Sequence, residues 1–221
     1  MSQPDLPLNY KRIEARTDTS GSRPAAFVLH GRGADETDLL PVAQRFPDEL
    51  EIISLQAPNR MGMGYTWYEL DLSEGGLHES QPDPEDFRRS LDLVAETVIK
   101  ATDVFDLDPG RIGLFGFSQG AITSMCSLLE TPDRYAWCVA LHGYLPESHA
   151  DLTPDGIEDK PVFIAGGSVD DVIPASRVER AGRRFRELGS AVDLTIFDTG
   201  HSIGPDELNA LLEWIEQQVT E

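Results

Sequence analysis

The chain has 221 residues, of which 40% are hydrophobic and 26% charged. That length suits one well-buried domain, and the balance suits a globular chain, not a disordered one. With 39 acidic residues against 18 basic ones, the formal net charge is −21, which argues against nucleic acid as the main partner and against docking on anionic membrane.

Residues 1–9 have no basic start and no apolar run, so no signal peptide is expected and the segment is read as flexible. Seven strands are predicted at 10–16, 25–30, 52–56, 111–117, 137–142, 162–165 and 192–197. Several are short continuous apolar runs, as strands covered on both faces require. Between them lie helices. Asp83-Pro84 supplies an N-cap and an N1 proline, and Phe87, Leu91, Val94, Val98 and Phe105 then recur at helical spacing. A second helix covers 118–129 and ends near Thr131-Pro132. A third covers 174–188 with Gly189 at its C-terminus. The last runs from 205 to about 219, with Leu208, Leu211, Leu212 and Ile215 inward. On the third helix Arg177, Arg180 and Arg184 share a face, read as solvated and paired with Glu179 and Glu187. The alternation implies a single α/β domain over 1–221, a mostly parallel sheet with helices on both faces and no large cap domain. Ligands bind such sheets at the carboxyl ends of the strands. The long stretches 57–83 and 143–160 interrupt the pattern and are candidate functional loops, the first on the substrate side. No apolar run approaches the roughly 20 residues needed to span a bilayer. Cys126 and Cys138 read as small buried hydrophobes in a reduced, cytoplasmic chain.

The strongest motif is Gly116-Phe117-Ser118-Gln119-Gly120. It follows an apolar strand and opens a helix, the context that a nucleophile elbow needs. Unfavourable φ/ψ is expected at Ser118, and the flanking glycines remove side chains where strand and helix pass closely. A serine hydroxyl needs a base, and the base needs an orienting acid, in the chain order Ser, Asp/Glu, His. His30 and His78 precede Ser118, and His142 and His149 have only loop acids nearby. His201 follows the seventh strand and is the base. The acid should follow the strand at 162–165, where Asp170 and Asp171 are adjacent. Neighbouring side chains diverge, so one faces the imidazole, and Asp170 is chosen over Asp171, with Asp198 third. Oxyanion donors are assigned to the backbone N–H of Gln119 and of Arg32. His30 reads as a structural histidine holding the Arg32 loop.

These motifs, with Leu29-His30-Gly31-Arg32-Gly33, Trp67-Tyr68, Gly143-Tyr144-Leu145-Pro146, Asp170-Asp171-Val172-Ile173-Pro174 and Gly200-His201, resemble the phospholipase/carboxylesterase family of α/β-hydrolases, which includes the acyl-protein thioesterases. The resemblance implies a hydrolase of esters or thioesters without a large lid. It carries catalytic roles onto Ser118, Asp170 and His201, and oxyanion roles onto Arg32 and Gln119. Relatives commonly have a small residue at the position of His142. That histidine narrows the pocket, adds a titrating group to the site or packs as a bystander beside the Ser118 helix, and the bystander reading is preferred. Arg32, where relatives are often apolar, binds a substrate carboxylate or pairs with a nearby acid.

Met61, Met63, Trp67, Tyr68, Leu145, Val172 and Ile203 are the expected apolar lining of an acyl or alcohol pocket. Glu69, Asp71, Glu74 and Glu79 nearby disfavour long anionic substrates. No cofactor or metal motif is present. The expected partner is therefore a small-molecule ester, with no nucleic acid and no membrane insertion, and a homodimer is an allowed assembly. The acids are scattered, as in Asp35, Glu36 and Asp38 or Asp103, Asp106 and Asp108, which suits a protein adapted to a salty cytoplasm. At 1 M salt, charges are screened beyond about 3 Å. The melting temperature is expected to rise with KCl as self-repulsion is relieved. A flat or falling melting temperature between low and molar KCl rejects that adaptation.

Overall fold

The computed structural model describes residues 4–17, 21–73 and 75–220. In chain order they form β1 (Tyr10–Ile13), β2 (Arg23–Leu29), a short α1 (Leu40–Ala43), β3 (Glu51–Leu55), the small strands β4 (Asn59–Met61), β5 (Gly64–Thr66), β6 (Leu70–Asp71) and β7 (Gln81–Pro82), then α2 (Pro84–Phe105), β8 (Leu107–Phe117), α3 (Gln119–Glu130), β9 (Trp137–Leu141), α4 (Glu147–Ala150), β10 (Pro161–Gly167), α5 (Ala175–Glu187), β11 (Ala191–Phe197) and α6 (Pro205–Thr220). Seven strands make one sheet in the order β1-β3-β2-β8-β9-β10-β11. β1 is antiparallel to β3, and every other pairing in this sheet is parallel.

Alternation along the buried strands sends successive side chains to opposite faces. Ala25, Phe27 and Leu29 join one apolar layer with Leu91, Val94 and Met125 from α2 and α3. Ala26 and Val28 join the other with Ala43, Leu211, Trp214 and Ile215 from α1 and α6. α2 begins where expected, with the Asp83 carboxylate accepting from the N–H groups of Glu85 and Asp86. Register brings the strand ends level: Leu29 lies opposite Gly116, Phe117 opposite Leu141, Leu141 opposite Ala165 and Gly167 opposite Phe197. The loops carrying residues 30–34, 118, 142, 170 and 201 therefore leave the sheet along one edge.

Several expectations are corrected. Of the segment read as flexible, residues 1–3 lie outside the described residues, and the rest is anchored. Leu6 and Leu8 are buried, Leu8 N–H donates to Thr97 Oγ1 (3.2 Å) and Tyr10 Oη donates to the Pro4 carbonyl (2.9 Å). β1 stops at Ile13, short of residue 16, because the chain turns there onto the buried Glu51, which pairs with Arg12 and accepts from Ala15 N–H. The stretch 57–83 is not irregular: it folds into two small antiparallel ribbons, β4–β5 and β6–β7.

The arginine face of α5 is also not simply solvated. Arg177 is only 6% exposed. Its guanidinium lies 3.3 Å from the Tyr144 ring centroid and donates to the carbonyls of His78 (3.1 Å) and Ser80 (2.9 Å). Arg184 donates to the carbonyls of Ala150 (2.7 Å) and Leu152 (2.9 Å). Two helix arginines thus fasten the two long loops. Arg177→Ala is expected to cost about 3 kcal/mol through lost charged hydrogen bonds and stacking, whereas Arg180→Ala, at an exposed position, should stay within about 0.5 kcal/mol. Urea unfolding of the two variants side by side checks this, and equal stabilities would remove the clamp role.

Candidate active site

β8 runs into Ser118, and α3 starts at the next residue. Ser118 sits at φ 54°, ψ −118°, a region that a side-chain-bearing residue enters only when its surroundings hold it there. Its N–H donates to the Leu141 carbonyl (2.9 Å), and its carbonyl accepts from Ile122 N–H (3.1 Å), so sheet and helix both grip the turn. The two motif glycines permit this. A Cβ on Gly116 would lie 2.3 Å from the Gly120 carbonyl oxygen, and one on Gly120 would lie 2.0 Å from the Leu29 carbonyl oxygen.

The structure brings Ser118, His201 and Asp170 together. His201 Nε2 lies 2.9 Å from Ser118 Oγ, and His201 Nδ1 lies 2.7 Å from Asp170 Oδ2. Asp170 Oδ1 accepts the N–H groups of Val172 and Ile173, both at 2.9 Å. Asp171 is exposed, and its backbone carbonyl lies 2.6 Å from His78 Nε2. Asp198 accepts from the Ser168 hydroxyl (3.2 Å), away from the imidazole. Burial alone would raise the Asp170 carboxyl. Bonds from His142, His201 and the backbone of Ile173 and Val172 outweigh it and hold the group below the usual aspartate range. Asp170 is therefore an ionised acceptor at neutral pH. His201 Nδ1 then carries its proton towards Asp170 and leaves Nε2 to receive one from Ser118.

His142 is not a bystander. It is fully buried, with Nδ1 2.8 Å from the same Asp170 Oδ2 and Nε2 3.3 Å from Glu207 Oε2. Nothing local in the sequence shows that the sheet edge delivers it to Asp170. His142, Asp170 and His201 are also the one group among the described residues with metal-type ligands in mutual reach, within 4.8 Å. Both Nδ1 atoms are committed to the same carboxylate oxygen, so the cluster is a hydrogen-bonded unit. His30 is buried, with Nδ1 2.7 Å from the Gly31 carbonyl and Nε2 accepting from Ala57 N–H (3.1 Å). Burial lowers its pKa and keeps it neutral, so it braces the loop that carries Arg32.

Above Ser118 lies a cavity of about 310 Å³ whose walls include Tyr68, Leu77, Ile122, Tyr144, Val172 and Ile173, and to which Arg32, Gln119 and His201 also contribute. Of the expected apolar lining, Tyr68 and Val172 are in place and the others are not. Met63 occupies the Gly62-Met63 turn of the β4–β5 ribbon and is 97% exposed, and Met61 belongs to the same ribbon. Trp67 is fully buried behind the site, its Nε1–H donating to the His30 carbonyl (2.8 Å). Leu145 and Ile203 pack against the two apolar layers. Arg32 pairs with Glu69 (3.6 Å) at the rim, and Glu74 lies outside the described residues. Sequence reasoning also missed the Gln119 side chain. Its Oε1 accepts from Trp67 N–H (3.2 Å) and its Nε2 donates to the Tyr68 carbonyl (2.9 Å), which ties the ribbon loop to the start of α3. A polar residue at a buried helix start is the only signal that could have found it.

Residues 11–219 match the family model described as Phospholipase/Carboxylesterase. The chain belongs to that family. It is a hydrolase of the α/β-hydrolase fold, and the relatives agree in extent. The acyl-protein thioesterase 1 of Eremothecium gossypii is 31% identical over 93% of this chain and 91% of that protein. The Candida albicans protein of the same name is 24% identical over 96% and 99%. A Bacillus cereus carboxylesterase structure superposes with a TM-score of 0.83 at 22% identity, covering 96% of this chain and 94% of that one, a likeness of fold. In this family member the close approach of α3 to β2 leaves no room at Gly120. Gly120→Ala is expected to lose about 3 kcal/mol of stability, read by urea unfolding, and a stability within error of the wild type would contradict the packing at the elbow.

Proposed function

We propose that this hydrolase cleaves carboxylic esters with small to medium acyl groups through an acyl-enzyme on Ser118. The observation that carries the reading is the unbroken chain from Ser118 Oγ through His201 to Asp170, at 2.9 and 2.7 Å, at the base of a cavity. His201 Nε2 takes the Ser118 proton as Oγ attacks the ester carbonyl. The negative oxygen that develops is met by the N–H groups of Gln119, at the free N-terminal end of α3, and Arg32. The imidazolium then gives its proton to the departing alkoxide. A water, deprotonated by the same imidazole, attacks the acyl group and frees Ser118. Asp170 remains ionised throughout and holds the ring in the productive tautomer.

A cavity of about 310 Å³ sits at the small end of ligand sites, which favours short acyl chains. The rim cation Arg32 is already paired with Glu69, which favours uncharged substrates. Thioester cleavage is the second reading, supported by the thioesterase names of the sequence relatives, and the same steps serve it with a thiolate leaving group. No helix of the described residues is long and apolar enough to cross a membrane. A cytoplasmic setting, with the acidic surface working in high salt, completes the proposal.

Ser118→Ala is expected to reduce p-nitrophenyl butyrate hydrolysis by at least about 10⁴-fold and to abolish fluorophosphonate labelling. Normal turnover by that variant would defeat the assignment. Failure of the wild type to label would favour a silent binding protein on the same fold. A chain-length series of esters and thioesters is expected to peak at short acyl groups, and a preference for long chains would overturn the size argument.

A further inference from the structure

His142 is buried, yet no step above uses it. It follows β9 at φ 52°, its N–H held by the Ala165 carbonyl (2.7 Å), and its ring stands edge-on to that of His201 with centroids 5.5 Å apart. The titratable groups that face it are Asp170 after β10, His201 after β11 and Glu207 on α6, and the Phe117 ring closes another side (5.4 Å). Glu207 is itself fully buried. Its Oε2 also accepts from Gly204 N–H (3.3 Å), and its Oε1 has no partner among the described residues.

The proton count is constrained. Asp170 accepts four hydrogen bonds, two on each oxygen, which fills an ionised carboxylate. His142 Nδ1 must therefore be a donor. One further proton lies between His142 Nε2 and Glu207 Oε2. Whichever atom keeps it, the His142–Glu207 pair is neutral in sum and still offers an N–H to Asp170. Burial alone would lower the His142 pKa, but the bonds and charges of Glu207 and Asp170 outweigh it and raise it; even the neutral imidazole keeps one N–H, and the ionised Asp170 holds it on Nδ1.

We propose that His142, backed by Glu207, is a positioning residue that shares Asp170 Oδ2 with His201, fixing the carboxylate and limiting how strongly it holds the His201 proton. The proposal rests on the serine-hydrolase reading. Both proton arrangements act in the same direction: an N–H on Oδ2 draws charge from the oxygen that stabilises the His201 imidazolium. His201 is thereby kept available as a base at lower pH than a lone Asp–His pair would allow.

The test is the pH dependence of kcat/KM for a short ester in the wild type, His142→Ala and His142→Asn, normalised to the Ser118 sites labelled by a fluorophosphonate. Asparagine tolerates the left-handed backbone and can place an amide N–H near the position of Nδ1. The acid limb of His142→Ala is expected at higher pH than that of the wild type by about one pH unit, and His142→Asn should recover at least half of that shift. An unmoved limb in His142→Ala, or equal shifts in the two variants, overturns the proposal and leaves His142 a packing residue. The wild type supplies an independent reading if a variant does not fold. Nitrogen-15 spectra of the histidines should show His142 Nδ1 protonated well above the pH at which activity reaches its plateau, and an unprotonated Nδ1 there overturns the proposal. A wild type that neither labels nor turns over defeats the hydrolase reading instead, and the His142 resonance still decides whether His142 donates to Asp170.

Discussion

The backbone of Ser118 is the constraint on which the site depends. A residue at φ 54° is unfavourable by itself, of order 1–3 kcal/mol, and it persists because its neighbours leave it no alternative. β8 is fixed between β2 and β9 in the sheet, and α3 is buried along its length, so the direction of each is set by packing. The turn between them has one residue in which to reverse direction. Gly116 and Gly120 let that happen at backbone contact distance. Because every strand end along this edge is in register, once Ser118 is held at the tip the loops after β9, β10 and β11 converge on it.

Asp170 is the second organising element, and its logic is electrostatic. A buried carboxylate is costly unless every lone pair is occupied. Here the donors come from its own loop, from the loop after β11 and from His142 after β9. Three strand ends therefore fix one carboxylate. Gln119 does the equivalent work on the other side of Ser118, where one side chain bonds the backbone of Trp67 and Tyr68 and keeps the ribbon loop against the start of α3. The cavity wall formed by Tyr68 is then part of the same rigid unit as the turn that carries Ser118.

The parts legible in the sequence are those with a local signature. The seven strands, the Asp83 cap of α2, the Gly-x-Ser-x-Gly turn and the choice of Asp170 over Asp171 all follow from periodicity, turn chemistry or the divergence of neighbouring side chains. What escaped depends on contacts far apart in the chain. Met63 and Trp67 look alike as apolar loop residues, but a two-residue ribbon turn puts one into solvent while the other is buried against His30. Arg177 and Arg180 look alike on a helix, yet only Arg177 faces Tyr144 and the 78–80 carbonyls. His142 and Glu207 are 65 residues apart, and no local pattern announces that they meet. Residues 4–9 carry no local signal for a similar reason: Leu6 and Leu8 are buried only in the layer that α2 shares.

The arginines bear on the charge of −21 in a way that composition alone conceals. Several of the few cations are spent on backbone carbonyls. Arg16 reaches Gln44 and Phe46, Arg111 reaches Val219, Arg177 reaches His78 and Ser80, and Arg184 reaches Ala150 and Leu152. A planar guanidinium with several donors can hold two carbonyls at once, which an ammonium does less well, and this suits arginine to these positions. Arg16 and Arg184 also pair with Asp48 and Glu187, but with 39 acidic residues against 18 basic ones acids remain in excess of cations. The repulsion among those acids is long-ranged and readily screened, whereas the arginine–carbonyl clamps are short-ranged and partly buried, where salt reaches them poorly. On the proposed high-salt reading, added salt relieves the unfavourable part of the electrostatics while leaving the clamps largely intact. At the cavity mouth Arg32 instead faces a carboxylate, that of Glu69 at 3.6 Å, so the rim carries a paired charge and not a lone cation.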